Sequence, residues 1–245
     1  MASSVPWTGL TSDSRRVKPG FLFAALSGTH TDGARFIADA VGHGATTVLG
    51  QPSLAPVVEG LGVGFIAADN PRRRFAELAA EYYGAQPRVI AAITGTNGKT
   101  SVSVFLRQIW HSLGRAAASL GTIGLVTASG TRSLAHTTPD PVELHALLAE
   151  LAGMDVQHLA LEASSHGLDQ YRLDGVRLAA AAFTNITRDH LDYHRDFAHY
   201  LAAKCRLFRD LTPPGAPAVI YVDVPHAEAV VAEARAQNLR LIRVG

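Results

Sequence analysis

The chain has 245 residues, 47% of them hydrophobic, which is enough to bury a core in one large or two small domains and excludes a disordered or fibrous protein. Its 22 Lys and Arg stand against 21 Asp and Glu, a formal net charge of +1, so no overall field draws it to nucleic acid or an anionic membrane, and any anion must be held by a local site. Cys205 alone cannot form an internal disulfide, nothing at the start reads as a secretory leader, and no apolar run is long enough to span a bilayer, so the expected location is the cytoplasm.

Over residues 1–84, strand-like runs at 21–26 and 46–49 alternate with glycine-rich turns and a helical stretch near 35–41, the pattern of a small α/β domain. Asp69-Asn70-Pro71 marks a helix start, because an Asp or Asn side chain caps free backbone N–H groups and proline suits the first turn. That helix ends at Tyr83-Gly84, and 84–88 reads as a linker. Beyond it, near-continuous apolar runs at 89–94, 158–162, 179–184 and 218–222 alternate with helical segments at 100–113, 141–151, 197–211 and 226–237. Runs of that kind suit strands covered on both faces, so 85–245 is expected to form a mostly parallel, doubly wound sheet.

The strongest motif is Thr94-Gly95-Thr96-Asn97-Gly98-Lys99-Thr100-Ser101, which leaves an apolar strand and opens a helix with Val102, Phe105, Leu106, Ile109 and Leu113 on one face. Glycines let the backbone approach phosphate oxygens, and a helix N-terminus offers free N–H groups and a favourable dipole. Lys99 adds a compact charge for β and γ phosphates and Thr100 a hydroxyl for magnesium. The competing reading is a Gly-Asn turn with a solvated Lys99. The loop is shorter than the common G-x-x-x-x-G-K-[ST] form.

Glu162 ends a buried strand, where open α/β sheets bind ligands; its carboxylate can hold magnesium or merely cap the next element. His190 and His194 have the i, i+4 spacing of a zinc pair, but without a cysteine or third histidine at ligand spacing, oxygen-rich surroundings favour magnesium, and both can also be plain surface residues. Lysine is rare here, confined to Lys18, Lys99 and Lys204. Lys204 sits among apolar helix positions, where most lysines snorkel to water. Unlike arginine, a lysine amine can lose its proton and react with carbon dioxide to give a carbamate.

Together with His136-Thr137-Thr138-Pro139, Glu162-Ala163-Ser164-Ser165-His166-Gly167-Leu168-Asp169-Gln170-Tyr171-Arg172, the run 183–194 and Ala203-Lys204, the loop resembles the Mur ligases, in particular members that add the third residue of the peptidoglycan stem peptide. Thr11-Ser12-Asp13-Ser14-Arg15 and Gly28-Thr29-His30-Thr31-Asp32-Gly33 are similar to the uridine-binding domain of that type. The resemblance implies a UDP-substrate domain at 1–84 and part of an ATP-binding domain at 85–245, which stops before the family's amino-acid-binding domain, so that the chain alone is expected to make no product.

It further implies that Gly95, Thr96, Asn97, Gly98, Lys99, Thr100 and Ser101 hold ATP. Thr100, Glu162, His190 and a carbamylated Lys204 would serve magnesium, with Lys99, Glu162, His190 and Lys204 as the catalytic set. Ser14, His30, Thr31, Thr137, Thr138, Ser164, Gln170 and Arg172 would hold UDP-N-acetylmuramoyl-L-alanyl-D-glutamate. The implied partners are that nucleotide, ATP and an amino acid, acting on a monomer. His136 departs from the family's usual Asn, and Tyr221-Val222-Asp223-Val224-Pro225 from Asn-x-Asp-Asp-Pro. The rival readings are a non-catalytic module binding nucleotide or UDP-sugar, an unrelated P-loop kinase, and a folate-type polyglutamate ligase, which shares the loop but not the signatures around Ser14 and His30.

Overall fold

The computed structural model describes residues 6–28, 32–189 and 193–245; His30, Thr31 and His190 lie outside the described residues. The chain divides into two units, Met1–Gly84 and Ala85–Gly245, and the fold is α/β with mostly parallel sheets.

In the first unit, β1 (Gly9–Thr11), β2 (Phe21–Ala24), β3 (Ala45–Gly50) and β4 (Gly64–Ala67) form a parallel sheet in that order among the described residues. Helices α1 (Ile37–Gly42), α2 (Ala55–Glu59) and α3 (Pro71–Tyr83) accompany it. Phe23, Ile37, Ala40, Val48 and Val58 meet in its core. Asn70 Oδ1 accepts the Arg73 N–H at 3.1 Å and Pro71 opens the first turn, so the letters 69–71 do cap a helix. Gly84, at φ 69°, ends it. The helix buries Phe75, Ala76, Leu78 and Ala79, one face of a 3.6-residue period.

The second unit runs β5 (Val89–Thr94), α4 (Lys99–Ser112), β6 (Ala117–Gly121), β7 (Gly124–Thr127), β8 (Gly130–Arg132), α5 (Pro141–Gly153), β9 (His158–Glu162), α6 (Ser165–Asp169) and β10 (Ala180–Phe183). It continues through α7 (Phe197–Arg206), a π turn over Leu207–Leu211, β11 (Pro217–Tyr221), α8 (Ala227–Ala236) and β12 (Arg240–Val244). Its sheet order is β12-β11-β10-β5-β9-β6-β7-β8. The strands from β12 to β6 are parallel, and β7 and β8 add an antiparallel edge.

Ile90, Ala92, Leu159, Leu161, Ala181, Phe183, Ala218 and Ile220 pack with α5, α7 and α8 in one core. Successive strand residues point to opposite faces, so the small residues Ala91, Ser119 and Ala160 turn the other way, toward α4, which packs on β5, β6 and β9. Close approach over small side chains uses the Ser103 side of α4, and Ser103 is its one buried residue. The stripe legible in the sequence is therefore the outward face: Phe105, Ile109 and Leu113 are 60%, 55% and 67% exposed.

Candidate functional site

Strand β5 ends in buried Thr94, whose hydroxyl donates to the Ala163 carbonyl at 2.9 Å and so ties the tip of β5 to the tip of β9. The loop that follows turns through two left-handed glycines, Gly95 (φ 151°) and Gly98 (φ 83°), before α4 starts at Lys99. A Cβ on Gly95 would collide with the Thr184 hydroxyl, so this residue has to be glycine for steric reasons as well as conformational ones.

The tip of β10 latches the loop. Asn185 Oδ1 accepts the Asn97 N–H at 3.0 Å while its Nδ2 donates to the Asn97 carbonyl at 3.1 Å. The Thr96 N–H donates to the Asn185 carbonyl at 2.8 Å, and the Thr96 hydroxyl lies 2.9 Å from the Tyr200 hydroxyl. The amides of Thr96 and Asn97 are thus already paired, which leaves the first amides of α4 as the donors without an intrahelical partner. Sequence reading missed Thr184, Asn185 and Tyr200 as loop supports, because they lie about 90 to 100 residues away along the chain.

Lys99 Nζ folds back to donate to the carbonyls of Gly95 and Thr96, both at 2.9 Å. Burial lowers its pKa, and the charges of Glu162 and Asp189 oppose the shift. Lys204 is 1% exposed, so it does not snorkel, and its Nζ donates to the same Gly95 carbonyl at 2.8 Å while lying 4.5 Å from the Tyr200 ring centre. Burial and the neighbouring Lys99 charge push its pKa down to about 7, against the pull of Asp189. Near neutrality a large share of this amine is uncharged and nucleophilic.

Glu162, at the end of β9, is 1% exposed and does not cap the following helix, whose N-cap is Ser164, with Ser164 Oγ accepting the Gly167 N–H at 3.0 Å. Its Oε2 accepts from the hydroxyls of Thr100 at 3.0 Å and Thr122 at 3.1 Å, and its Oε1 from the Thr122 N–H at 3.1 Å. Carboxylate and hydroxyl oxygens in contact beside a phosphate-type loop are the donor set of a hard divalent cation such as magnesium.

Next to these groups opens a cavity of about 400 Å³ lined by Lys99, Thr122, His136, Thr137, Thr138, Ser164, His166 and Arg172. Buried Thr138 braces its floor, with Oγ1 donating to the Glu162 carbonyl at 2.9 Å and accepting the Ser164 N–H at 3.1 Å. Arg172 donates through Nη1 to the Thr138 carbonyl at 2.7 Å and through Nη2 to Gln170 Oε1 at 2.8 Å. Thr137, Thr138, Ser164 and Arg172 thus line the cavity together, and Gln170 is bonded to Arg172 without itself lining it.

His194 does not sit at the surface. It is fully buried, its pKa is pushed down to about 4 chiefly by burial, and it groups with His199 and Asp169, their ligand atoms within 4.8 Å of one another. In the first unit Ser14 is 7% exposed, and its carbonyl lies 3.1 Å from His43 Nδ1. A cavity of about 220 Å³ in that unit is lined by Leu26, Ser27, Gln51 and residues 69–72, where Arg72 Nη2 donates to the Ser27 carbonyl at 2.7 Å.

Comparison with known proteins matches residues 93–245 to the model of the Mur ligase middle domain and residues 6–83 to that of the Mur ligase family, catalytic domain. A UDP-N-acetylmuramoyl-L-alanyl-D-glutamate--2,6-diaminopimelate ligase of Bradyrhizobium diazoefficiens is 56% identical over 238 residues, 97% of this chain and 48% of the relative. A ligase of the same name from Chelativorans sp. is 52% identical over 100% of this chain and 50% of its own length. A solved structure of such a ligase superposes with a TM-score of 0.83 at 32% identity, covering 97% of this chain and 48% of that one. Mycobacterium tuberculosis folylpolyglutamate synthase, complexed with ADP, shares the fold at a TM-score of 0.56 and 20% identity, over 70% of this chain and 45% of that one. The chain spans about half the length of the curated relatives it matches.

Proposed function

The chain belongs to the Mur ligase family, and on that premise we propose that it holds ATP and UDP-N-acetylmuramoyl-L-alanyl-D-glutamate for ATP-dependent addition of the third stem-peptide residue in peptidoglycan synthesis. The names of its relatives support 2,6-diaminopimelate as that residue. The observation that carries the reading is the convergence of Lys99 and Lys204 on one carbonyl, with the Thr100–Glu162 contact beside them and a polar cavity alongside.

In the proposed reaction the free glutamate carboxylate attacks the γ-phosphorus of ATP, ADP leaves, and an acyl phosphate forms. The incoming amine then displaces phosphate to give the amide. Both partners of the first step are anions, so cations must gather around them. Lys99 exchanges the Gly95 and Thr96 carbonyls for phosphate oxygens, and the first amides of α4 take the remaining charge. Thr100 and Glu162, with His190, would hold magnesium, which when bound supplies positive charge to the phosphate oxygens. Lys204 Nζ, once it has lost its ammonium proton, would add carbon dioxide and release a second proton, so that a side chain whose charged form repels metal would become an anionic ligand.

The cavity lined by Thr137, Thr138, Ser164 and Arg172, with Gln170 bonded to Arg172, would receive the muramoyl dipeptide, and the first unit, through Ser14, His30 and Thr31, the uridine diphosphate. The setting proposed is the cytoplasm, with the protein a monomer engaging neither nucleic acid nor membrane; no helix among the described residues is long and apolar enough to cross a membrane.

Calorimetric titration tests the reading. Lys99→Ala is expected to weaken magnesium-ADP binding more than about tenfold and the UDP substrate much less, and Arg172→Ala to do the reverse. Absence of binding of either ligand to the wild type would overturn it.

A further inference from the structure

Thr122 lies beyond every motif in the sequence, just after Gly121 at the end of β6, and its side chain is exposed. It nevertheless supplies two of the donors that Glu162 accepts from, its N–H reaching Oε1 and its hydroxyl Oε2, both at 3.1 Å. A buried carboxylate holds one orientation only when fixed donors occupy its lone pairs. The backbone donor is fixed because β6 pairs in parallel with β9, with Leu120 opposite Leu161, two residues before Thr122 and one before Glu162.

Gly121 makes the approach possible, since a Cβ there would collide with the Glu162 carboxylate. The Thr122 hydroxyl has a single proton to give. Its other neighbour, the Thr137 hydroxyl at 3.2 Å, can donate to it, which leaves the Thr122 proton directed at Glu162.

We propose that Thr122 is the positioning residue of the cation site: its hydroxyl holds Glu162 in the orientation that meets Thr100. This rests on the reading of Glu162 and Thr100 as divalent-cation ligands. The hydrogen-bonding partners of a ligating carboxylate set its geometry and basicity, and removing one lowers metal affinity by about 10 to 100-fold.

The experiment is a manganese titration in the presence of ADP, with free manganese read by electron paramagnetic resonance. It compares wild type, Thr122→Val, Thr122→Ser and Glu162→Gln, and records thermal unfolding of each without metal. Thr122→Val keeps the backbone donor and the branched shape but removes the hydroxyl; it is expected to weaken manganese about tenfold or more, while Thr122→Ser stays within about threefold of wild type. A residue that merely packs would move the unfolding midpoint and not discriminate hydroxyl from methyl. Wild-type affinity in Thr122→Val, or equal weakening in Thr122→Ser, with Glu162→Gln still defective, overturns the role of Thr122 alone. Wild-type affinity in Glu162→Gln removes the cation reading, and this inference with it.

Discussion

His145 shows how one buried titratable group makes the fold sensitive to acid. Its ring is 1% exposed, Nε2 lies 3.2 Å from the Asp174 carbonyl, and burial pushes its pKa from 6.5 to about 4, with the Arg177 charge adding to the fall and the carbonyl opposing it. The folded pKa lies below the unfolded one, so the unfolded chain binds the proton first as pH drops. The stability this group contributes is complete above 6.5, declines through the interval down to about 4, and is constant below it. The interval corresponds to about 3 kcal/mol. His194, also held near 4, acts in the same direction, so His145→Gln is expected to remove roughly half of the histidine-linked loss between about pH 7 and about pH 4.5 in urea unfolding. Equal losses in the two proteins would contradict this account of His145.

Among elements, the junction of α6 and α7 is held by a buried ion pair. Arg206 of α7 donates through Nη2 to both Asp174 carboxylate oxygens, at 2.7 and 2.9 Å, and through Nη1 to the Leu168 carbonyl at 2.6 Å, and its guanidinium stacks 4.0 Å from the Tyr171 ring centre. Arg206 lies two residues after Lys204 and so on the opposite side of α7, and the segment it grips carries Arg172, so α7 links the Lys204 side of the site to the cavity lining. Asp174→Ala would leave the buried guanidinium with only the part-exposed Asp210 carboxylate, 3.1 Å from Nε, and is expected to destabilise by about 1.5 to 3 kcal/mol in denaturant unfolding. A loss below about 1 kcal/mol would show that the pair is incidental.

What the sequence made legible at this scale follows the strength of the local signal. The apolar runs that became β5, β9, β10 and β11 stood out because a parallel strand covered on both faces is apolar throughout, and α3 because Asn70 and Pro71 mark its start. Strands β1 and β8 have three residues each and β12 carries Arg240 and Arg243, so none shows such a run. The apolar stripe of α4 was legible but its direction was not, since only the small residues of the strands beneath decide which side of a helix comes close. In the site, Lys99 and Thr100 are set by adjacent letters. Thr122 and Asn185 act across 40 and 88 residues, through strand register that no local pattern encodes.

Across the whole molecule, strand order does the assembling. With β5 between β10 and β9, and β6 beyond β9, the C-terminal ends of four strands lie side by side, and from them come the loop after Thr94, Thr122, Glu162 and Asn185. A parallel sheet brings its strand ends to one rim, and ligands of such sheets bind there. On the proposed function this rim receives a nucleotide tail, and a crystal structure of the chain grown with magnesium and ADP tests this most directly. It should place the β-phosphate on the first amides of α4, with Lys99 Nζ moved from the Gly95 and Thr96 carbonyls onto phosphate oxygen and the metal between Thr100 and Glu162. A nucleotide bound away from this rim, or Lys99 still on those carbonyls with ADP present, would contradict it.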